Sequence, residues 1–223
     1  KKMIVKNYEP APTEDRFQKA GDAAELQMAH YLRRAFGEND EVKVLNNLRL
    51  ERGGEVAQID HLIIHRYGFI IIESKSVIST VRINNRQEWS RLWNGRWSGM
   101  ASPILQARRQ EQILMKLLDD HASELRGKLL GLLQTRFGGA IVDVVTAISD
   151  QGIIEAKSKL PEVKKADQVP DYVEVLLACQ KKGCSILANR EDDKGSKMSA
   201  KELERVTAFL LSQHKEAPRQ AST

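Results

Sequence analysis

Residues 58–75 read QIDHLIIHRYGFIIIESK, two isoleucine-rich runs separated by a short polar segment. Each run is too short for a buried helix, which favours two β-strands over residues 59–64 and 69–72. The segment between them has the length and the glycine of a hairpin loop. A hairpin closed here places His65 opposite Gly68, and continuing the same register places Asp60 opposite Glu73.

Polar residues collect at the open end of this predicted hairpin. Paired side chains on neighbouring strands lie about 5 Å apart at their Cβ atoms, so Asp60 and Glu73 would repel each other. A hard divalent cation between the two carboxylates would turn that repulsion into a ligand set. Because side chains alternate along a strand, Lys75 shares the face of Glu73, whereas Ser74 points to the opposite face.

Two carboxylates and one ammonium are the parts that phosphodiester hydrolysis needs. A bound metal neutralises phosphate charge and lowers the pKa of a bound water. A lysine such as Lys75 orients that water or offsets the charge that grows in the transition state. The alternative is that these residues are ordinary charged side chains at strand ends. By themselves they leave both interpretations open, and two further residues favour catalysis.

The first of these residues lies upstream, in a segment whose period predicts a helix over residues 17–36. Glu25 falls within the apolar arc of that helix, and a carboxylate among apolar residues is costly unless it is paired or binds a metal. Its alternative position is the surface edge of the arc. Gly37 is expected to end the helix with a positive φ. The predicted apolar face comprises Phe17, Ala20, Ala24, Met28, Tyr31, Leu32, Ala35 and Phe36.

The second residue lies downstream, in a helix that is expected to begin with Ser102 as N-cap and Pro103 as first helical residue. This helix runs to about residue 121. Gln106 projects onto its apolar face, with Gln110 close by. An amide turned inward near a helix N-terminus could bind a phosphate, a water or a metal ligand; the alternative is a buried glutamine with satisfied hydrogen bonds.

The rest of the pattern predicts an α/β fold. Strands are expected over residues 42–50 and 140–149, and Asn94-Gly95 is the pair that a type I′ hairpin turn needs. Towards the end we predict a helix over 173–181, a short strand over 185–188 and a loop over 190–197. Ser199 and Glu202 form a capping box for a final helix. This order of elements predicts a mixed central sheet flanked by helices.

Four motifs in this order resemble the nuclease-related domain, NERD, a family assigned to the PD-(D/E)xK nuclease superfamily. The resemblance covers about residues 17–135, a little over half of the chain. Ile59 stands where the superfamily loosely keeps a proline. The motifs are Gly21-x-x-x-Glu25, Gln58-Ile59-Asp60-His61, Ile72-Glu73-Ser74-Lys75 and Ser102-Pro103-x-x-Gln106.

The resemblance implies a restriction-endonuclease-like core that hydrolyses DNA with Mg²⁺ or Mn²⁺, with RNA left open as a substrate. It implies that Asp60 and Glu73 are metal ligands and that Lys75 is the catalytic lysine. It further implies that Glu25 completes the metal site and that Gln106 is the glutamine of the helix after the core strands. The alternative function is a catalytically weak or inactive nucleic-acid-binding module that recruits a partner enzyme. Whether the chain forms a homodimer stays open.

One stretch contains all three tryptophans and four arginines, namely Trp89, Trp93, Trp97, Arg82, Arg86, Arg91 and Arg96. Aromatic rings stack on unpaired bases and arginines hold phosphates, so we predict the four arginines as nucleic-acid contacts. For the tryptophans, ordinary packing of a hairpin on the core is the alternative. His61 follows Asp60 and therefore points to the opposite face, which favours a structural role for it.

Composition sets wider limits. A formal charge of +5 and a pI of about 9.2 weakly favour a polyanionic partner. We find no apolar run of about 18 residues, which predicts no membrane span, and no secretory signal at the start. The two cysteines, Cys179 and Cys184, lack the partners of a four-ligand zinc site and are expected to be reduced, in a cytoplasmic protein. The alternative is a remnant or half of a zinc ribbon.

At 223 residues the chain is long enough for one sizeable domain with additions. We divide it into an N-terminal arm over 1–16, a NERD-like core over 17–150, a C-terminal extension packed on the core over 151–214, and a disordered tail over 215–223.

Overall fold

The structure is a computed structural model that describes residues 3–126, 136–185 and 197–217, together with the backbone of two short strands between residues 128 and 133. Its helices are α1 (Arg16–Phe36), α2 (Pro103–Asp120), α3 (Ala122–Leu125), α4 (Val169–Lys181) and α5 (Ala200–Gln213). Its strands are β1 (Ile4–Lys6), β2 (Val42–Arg52), β3 (Glu55–His65), β4 (Gly68–Lys75), β5 (Thr80–Ile83), β6 (Trp89–Trp93), β7 (Arg96–Met100), β8 (Lys128–Leu129), β9 (Leu132–Leu133), β10 (Ile141–Ile148), β11 (Ile153–Ala156) and β12 (Val163–Lys165).

A six-stranded sheet in the order β1-β2-β3-β4-β10-β12 forms the centre of the molecule. Strands β2, β3 and β4 are antiparallel neighbours, whereas β1 pairs with β2, and β10 with β4 and β12, in parallel. Parallel neighbours need a crossover connection, and the chain from β4 to β10 supplies it through β5–β7 and α2. The predicted mixed sheet flanked by helices is confirmed, consistent with a restriction-endonuclease-like core.

Helices cover both faces of this sheet. Leu62 and Ile71 point to the face that packs with α2 and α5, and Ile63 and Ile70 point to the face that packs with α1 and α4. Strands buried on both sides read as nearly continuous apolar runs, which is why β3 and β4 are so rich in isoleucine. Burying each such side chain contributes about 1.5–3 kcal/mol.

Helix α1 matches the helix predicted over residues 17–36, but its apolar face is only partly buried. Ala24, Met28, Leu32 and Phe36 are buried, as predicted. Phe17, Ala20 and Ala35 of the same predicted face are exposed. No residue of α1 before Asp22 is buried.

Gly37 ends α1, but for a different reason from the one predicted. Its φ is −60°, so the expected positive φ is wrong. A Cβ atom at Gly37 would lie 2.5 Å from the carbonyl oxygen of Arg33. The close approach of the backbone, and not a left-handed conformation, requires glycine here.

A second sheet in the order β11-β5-β6-β7 packs on one end of the central sheet. Val81, Ile83 and Trp89 pack with Ile148 at the end of β10. The β6–β7 turn has φ of 48° at Asn94 and 74° at Gly95, which confirms the predicted type I′ turn.

The caps predicted for the later helices are present. Ser102 Oγ accepts the N–H of Leu105 at 3.3 Å at the start of α2. At the start of α5, Ser199 Oγ accepts the N–H of Glu202, whose carboxylate accepts the N–H of Ser199 in return. Helix α4 begins at Val169, earlier than the predicted residue 173, because a proline in its first turn is compatible with a helix start.

The segments outside the predicted core take part in the two sheets. The predicted arm contains β1, and its Tyr8 donates a hydrogen bond to Asp22 Oδ1 at 2.8 Å. In the predicted extension, β12 pairs with β10 and β11 pairs with β5. The strand predicted over 185–188, the loop over 190–197 and the tail over 215–223 lie largely outside the described residues. None of the described helices combines the length and the apolar character needed to cross a bilayer.

The two cysteines form a disulfide, so the prediction that they are reduced is wrong. Cys179 lies near the end of α4, and the turn that follows brings Cys184 to a Cα–Cα distance of 5.3 Å, within the range for a disulfide. The spacing in the sequence does not reveal this approach. Disulfides are uncommon in a reducing cytoplasm, and the cytoplasmic location therefore remains a prediction that this bond does not support.

Candidate active site

Asp60 and Glu73 follow the last paired residues of the β3–β4 hairpin. The observed register begins with His65 opposite Gly68, as predicted, and ends one position before Asp60 and Glu73. Alternation from Ile71 directs Glu73 to the face that packs on α2, where Gln110 contacts it. Asp60 Oδ2 also accepts the backbone N–H of Ser74 at 2.8 Å, which holds its carboxylate against β4.

Lys75 lies on the same face and forms an ion pair with Glu73. Its Nζ is 2.6 Å from Glu73 Oε1 and donates a second hydrogen bond to Gln106 Oε1 at 3.2 Å. Ser74 points to the other face, where its hydroxyl lies 3.1 Å from His61 Nε2. The predicted division of these side chains between the two faces is confirmed.

Helix α2 brings two glutamines to the site, one of which the sequence reasoning did not select. Gln106 faces inward, as predicted, and contacts Lys75. Gln110, one turn later, is buried and donates to Glu73 Oε2 at 3.1 Å and to the carbonyl oxygen of Gln58 at 2.5 Å. Its spacing of four residues from Gln106 was the available signal, since residues four apart share a helix face.

Glu25 reaches the same region from α1. Burial raises the pKa of Glu25 to about 7, and the charges of Asp22 and Glu73 add to the shift, while Lys75 opposes it. A carboxyl group whose pKa responds to Glu73 and Lys75 lies within electrostatic range of both. Glu25 is half-buried on α1, and its part in the site stays a prediction.

The other two carboxyl groups are shifted in the same direction. Burial raises the pKa of Asp60 well above its ordinary value, and the charges of Glu73 and Glu25 raise it further. Burial also raises the pKa of Glu73, against the opposing effects of Lys75 and Gln110. Among the described residues, three carboxyl groups thus lie near the ammonium of Lys75, and their raised pKa values mean that each holds a proton more readily than it would in water.

The comparison with known families agrees with this geometry. A family model described as the nuclease-related domain matches residues 20–141, just over half of the chain. The chain belongs to the NERD family. That family is assigned to the PD-(D/E)xK superfamily, and membership indicates a nuclease-related function. No curated protein and no solved structure gives a significant match.

All the residues predicted for catalysis lie within the matched NERD region. Tyr8, which lies outside that region, contacts Asp22 of α1. Asp22 is buried on α1 and accepts hydrogen bonds at 2.8 Å from Gln18 Nε2 and from the hydroxyl of Tyr8, in the N-terminal segment. Burial and the bond to Asp22 raise the pKa of Tyr8. No pattern in the sequence indicated this contact, because it joins segments that share no periodicity.

The histidines of β3 lie away from the carboxylates. His61 Nδ1 is 2.8 Å from Asn46 Oδ1, and burial lowers the pKa of His61 to about 3. His65 Nε2 is 2.6 Å from Gln180 Oε1, and burial lowers the pKa of His65 to about 4. Both rings are therefore neutral at pH 7, in keeping with a structural role.

The predicted nucleic-acid contacts lie on the second sheet. Arg82 pairs with Glu155 at 2.8 Å and stacks 3.8 Å from the ring of Trp97. The guanidinium of Arg91 lies 6.0 Å from the ring of Trp93. The other two predicted contacts, Arg86 and Arg96, are exposed. Contact of these four arginines with nucleic acid stays a prediction.

In the part of the chain that the structure describes, no group of three or more His, Cys, Asp or Glu side chains is arranged to hold a metal ion. Both oxygens of Glu73 are engaged, Oε1 by Lys75 and Oε2 by Gln110. Lys75 thus supplies the positive charge beside Glu73, whereas Asp60 and Glu25 share no comparable ion pair among the described residues.

Proposed function

We propose that this NERD-family chain is a metal-dependent nuclease that hydrolyses phosphodiester bonds of DNA with Mg²⁺ or Mn²⁺. The observation that carries the proposal is the gathering of three carboxyl groups with raised pKa values, those of Glu25, Asp60 and Glu73, near the ammonium of Lys75. Buried like charges are costly unless something pairs with them. A cluster of this kind at the end of a sheet is typical of a functional site.

The donor chemistry of these residues suits a hard divalent cation, although the described carboxyl groups are not gathered into a three-ligand group as they stand. Asp60, Glu73 and Glu25 offer carboxylate oxygens, the donors that Mg²⁺ and Mn²⁺ prefer. These three residues would hold the ion, whose positive charge would relieve the repulsion that raises their pKa values. When bound, such an ion neutralises phosphate charge and lowers the pKa of water.

Lys75 and the two glutamines act on the reacting groups and on their geometry. The ammonium of Lys75 is partly exposed beside a buried carboxylate, so it can hold the attacking water or stabilise negative charge on the phosphate. Gln106 fixes the direction of Lys75 through its side-chain oxygen. Gln110 fixes Glu73 in the same way from the amide nitrogen, so α2 orients both members of the ion pair.

Incubation of a closed circular plasmid with Mg²⁺ or Mn²⁺ tests this function. We expect the wild-type protein to cut it, and Lys75→Ala and Asp60→Ala to lose at least about a hundredfold in rate, the cost of removing one charge-stabilising group. Lys181→Ala is the matched control, because Lys181 also pairs with a glutamate, Glu41 at 2.5 Å. Circular dichroism verifies that each variant is folded.

Cutting by Lys75→Ala and Asp60→Ala at the wild-type rate, after contaminating nucleases are excluded, would reject the assignment. Because a closed circle has no ends, its cleavage also tests our proposal that the protein is an endonuclease. Cleavage of linear DNA alone would indicate an exonuclease.

The second candidate function is a nucleic-acid-binding module without useful activity. It is favoured by the finding that the described carboxylates are not gathered into a metal-ligand group. A module of this kind has no need of a cation, so carboxylate-dependent binding of Mn²⁺ separates the two functions.

A further inference from the structure

An apolar surface lies open to solvent beside the first turns of α1. Phe17 is 69% exposed, and its ring lies 6.3 Å from that of Trp93, which is 41% exposed. Two aromatic side chains that contact each other and still face solvent are unusual for a packing contact, because burial is their main contribution to stability. Phe17 belongs to the face of α1 that its period predicted to be buried.

The β6–β7 hairpin presents its two exposed tryptophans on opposite faces. Trp93 pairs across the hairpin with Arg96, whereas Trp97 pairs with Leu92, and adjacent positions on a strand point to opposite sides. Trp93 therefore faces α1 and Phe17. Trp97 lies on the other side, beneath Arg82.

The surface around Trp93 carries available positive charge. Arg91 lies over the ring of Trp93 at 6.0 Å, and Arg96 is its partner in the register. Within the described residues neither arginine forms an ion pair, whereas Arg82 on the opposite face is neutralised by Glu155. Aromatic rings next to unpaired guanidinium groups are the combination that binds bases and phosphates of a single strand.

Helix α1 connects this surface to the candidate active site. Eight residues separate Phe17 from Glu25, which corresponds to about 12 Å along a helix axis. A strand held at Phe17 and Trp93 is therefore within a few nucleotides of Glu25 and Lys75.

We propose that Phe17 and Trp93 form a stacking platform for unpaired bases, with Arg91 and Arg96 holding the phosphates of the same strand. This inference rests on the proposed nuclease function and names its substrate class: nucleic acid with a single-stranded segment next to the bond that is cut. A second copy of the chain and a flat duplex are the competing occupants of the surface.

Fluorescence anisotropy with labelled DNA tests the platform, with EDTA present so that binding is measured without cleavage. The probes are a single strand, a blunt duplex and a duplex with a single-stranded overhang, at equal ionic strength. The variants are Trp93→Ala and Phe17→Ala, and the matched control is Trp97→Ala, because Trp97 is 40% exposed on the opposite face of the same hairpin.

We expect the single strand and the overhang to bind more tightly than the blunt duplex. Trp93→Ala and Phe17→Ala should each weaken single-strand binding about tenfold or more, the loss that one stacked base gives on alanine substitution. Trp97→Ala should leave binding of all three probes unchanged. Equal losses for Trp93→Ala and Trp97→Ala, no preference for unpaired bases, or no binding at all would overturn the platform.

Analytical sedimentation of the free protein measures its oligomeric state and so tests whether a second copy of the chain occupies the surface. A wild-type dimer that Trp93→Ala converts to a monomer would assign the surface to a second copy and overturn the inference; a monomer in both cases supports it. Failure of the nuclease proposal is distinguishable, because a protein that binds single strands through Trp93 but cuts no plasmid keeps the platform and loses the activity.

Discussion

Strand β4 has a buried polar cluster near each end, and the two clusters are built differently. Near its start, Asp143 of β10 accepts hydrogen bonds from Gln180 Nε2 at 2.7 Å and from Ser185 Oγ at 2.5 Å. Near its end, Asp60 and Glu73 lie beside further carboxylates and share the ammonium of Lys75. Among the described residues the donors to Asp143 are neutral, whereas several carboxyl groups lie near one another at the other end.

This difference distinguishes a structural cluster from the one that we propose to be functional. Neutral donors satisfy one buried charge without introducing another, so the network around Asp143 stabilises the fold as it stands. The carboxyl groups around Asp60 lower one another's tendency to ionise, and either protonation or added positive charge relieves their repulsion. Asp143, Asp60 and Glu73 are all buried, so the two ends differ mainly in their neighbouring groups.

The largest expected effect is an increase in the free energy of unfolding when a cation binds the cluster around Asp60 but not the cluster around Asp143. At a free Mn²⁺ concentration about a thousand times the dissociation constant, the wild-type protein should gain about 4 kcal/mol in free energy of unfolding. Thermal melts with increasing Mn²⁺ measure the gain. Asp143→Asn should keep it and Asp60→Asn should lose it. A wild-type melting temperature that does not respond to Mn²⁺ would place the two clusters in the same structural class.

A somewhat smaller effect is expected when each carboxylate is made neutral in metal-free buffer. Asp143→Asn should lower the free energy of unfolding by about 3 kcal/mol, because an amide cannot accept both hydrogen bonds and leaves a buried donor unpaired. Asp60→Asn should raise it by about 1 kcal/mol, because one source of repulsion is removed while the bond from Ser74 can be kept. Urea unfolding measures both. Changes of the same sign would contradict the distinction drawn between the clusters.

A change in stability smaller than that of Asp143→Asn is expected from the titration of His65, which joins the structural cluster through Gln180. Burial lowers the pKa of His65 to about 4, so the folded state binds fewer protons than the unfolded state between that value and the ordinary pKa of 6.5. The contribution of His65 to stability is therefore complete above pH 6.5 and is lost as the pH falls towards 4. Between pH 6.5 and 5 the loss amounts to about 2 kcal/mol.

His65→Gln isolates this effect from other titrating groups, because it keeps an amide donor for Gln180 but has no proton to gain. As the pH falls from 7 to 5, the free energy of unfolding of the wild type should decrease more than that of the variant. A difference that does not change with pH would show that His65 is not held neutral by burial.

The hairpin of β3 and β4 shows how far sequence reasoning extends. Its register followed from loop length and apolar runs, both local properties, and the placement of Glu73 and Lys75 on one face followed from alternation. The caps of α2 and α5 were predictable for the same reason, since a cap involves residues three apart. Helical period placed Glu25 on the inner side of α1, and burial there raises its pKa.

The predictions that were wrong or incomplete depend on contacts between distant segments. The exposure of Phe17 depends on where α1 meets the sheet, which its own period does not encode. The bond from Tyr8 to Asp22 joins the N-terminal segment to α1, and the disulfide depends on the turn after α4. Gln110 had a local signal, but its contact with Glu73 required the packing of α2 on β4.

The sequence by itself determined the strands and helices, the hairpin register and the family of this protein, because periodicity, capping and turn chemistry act over a few residues. Only the tertiary structure decided which charges share a poorly hydrated region and which aromatic rings remain open to solvent. Electrostatic coupling and burial depend on distances across the fold, and those distances are fixed when α1 and α2 pack on opposite faces of the same sheet.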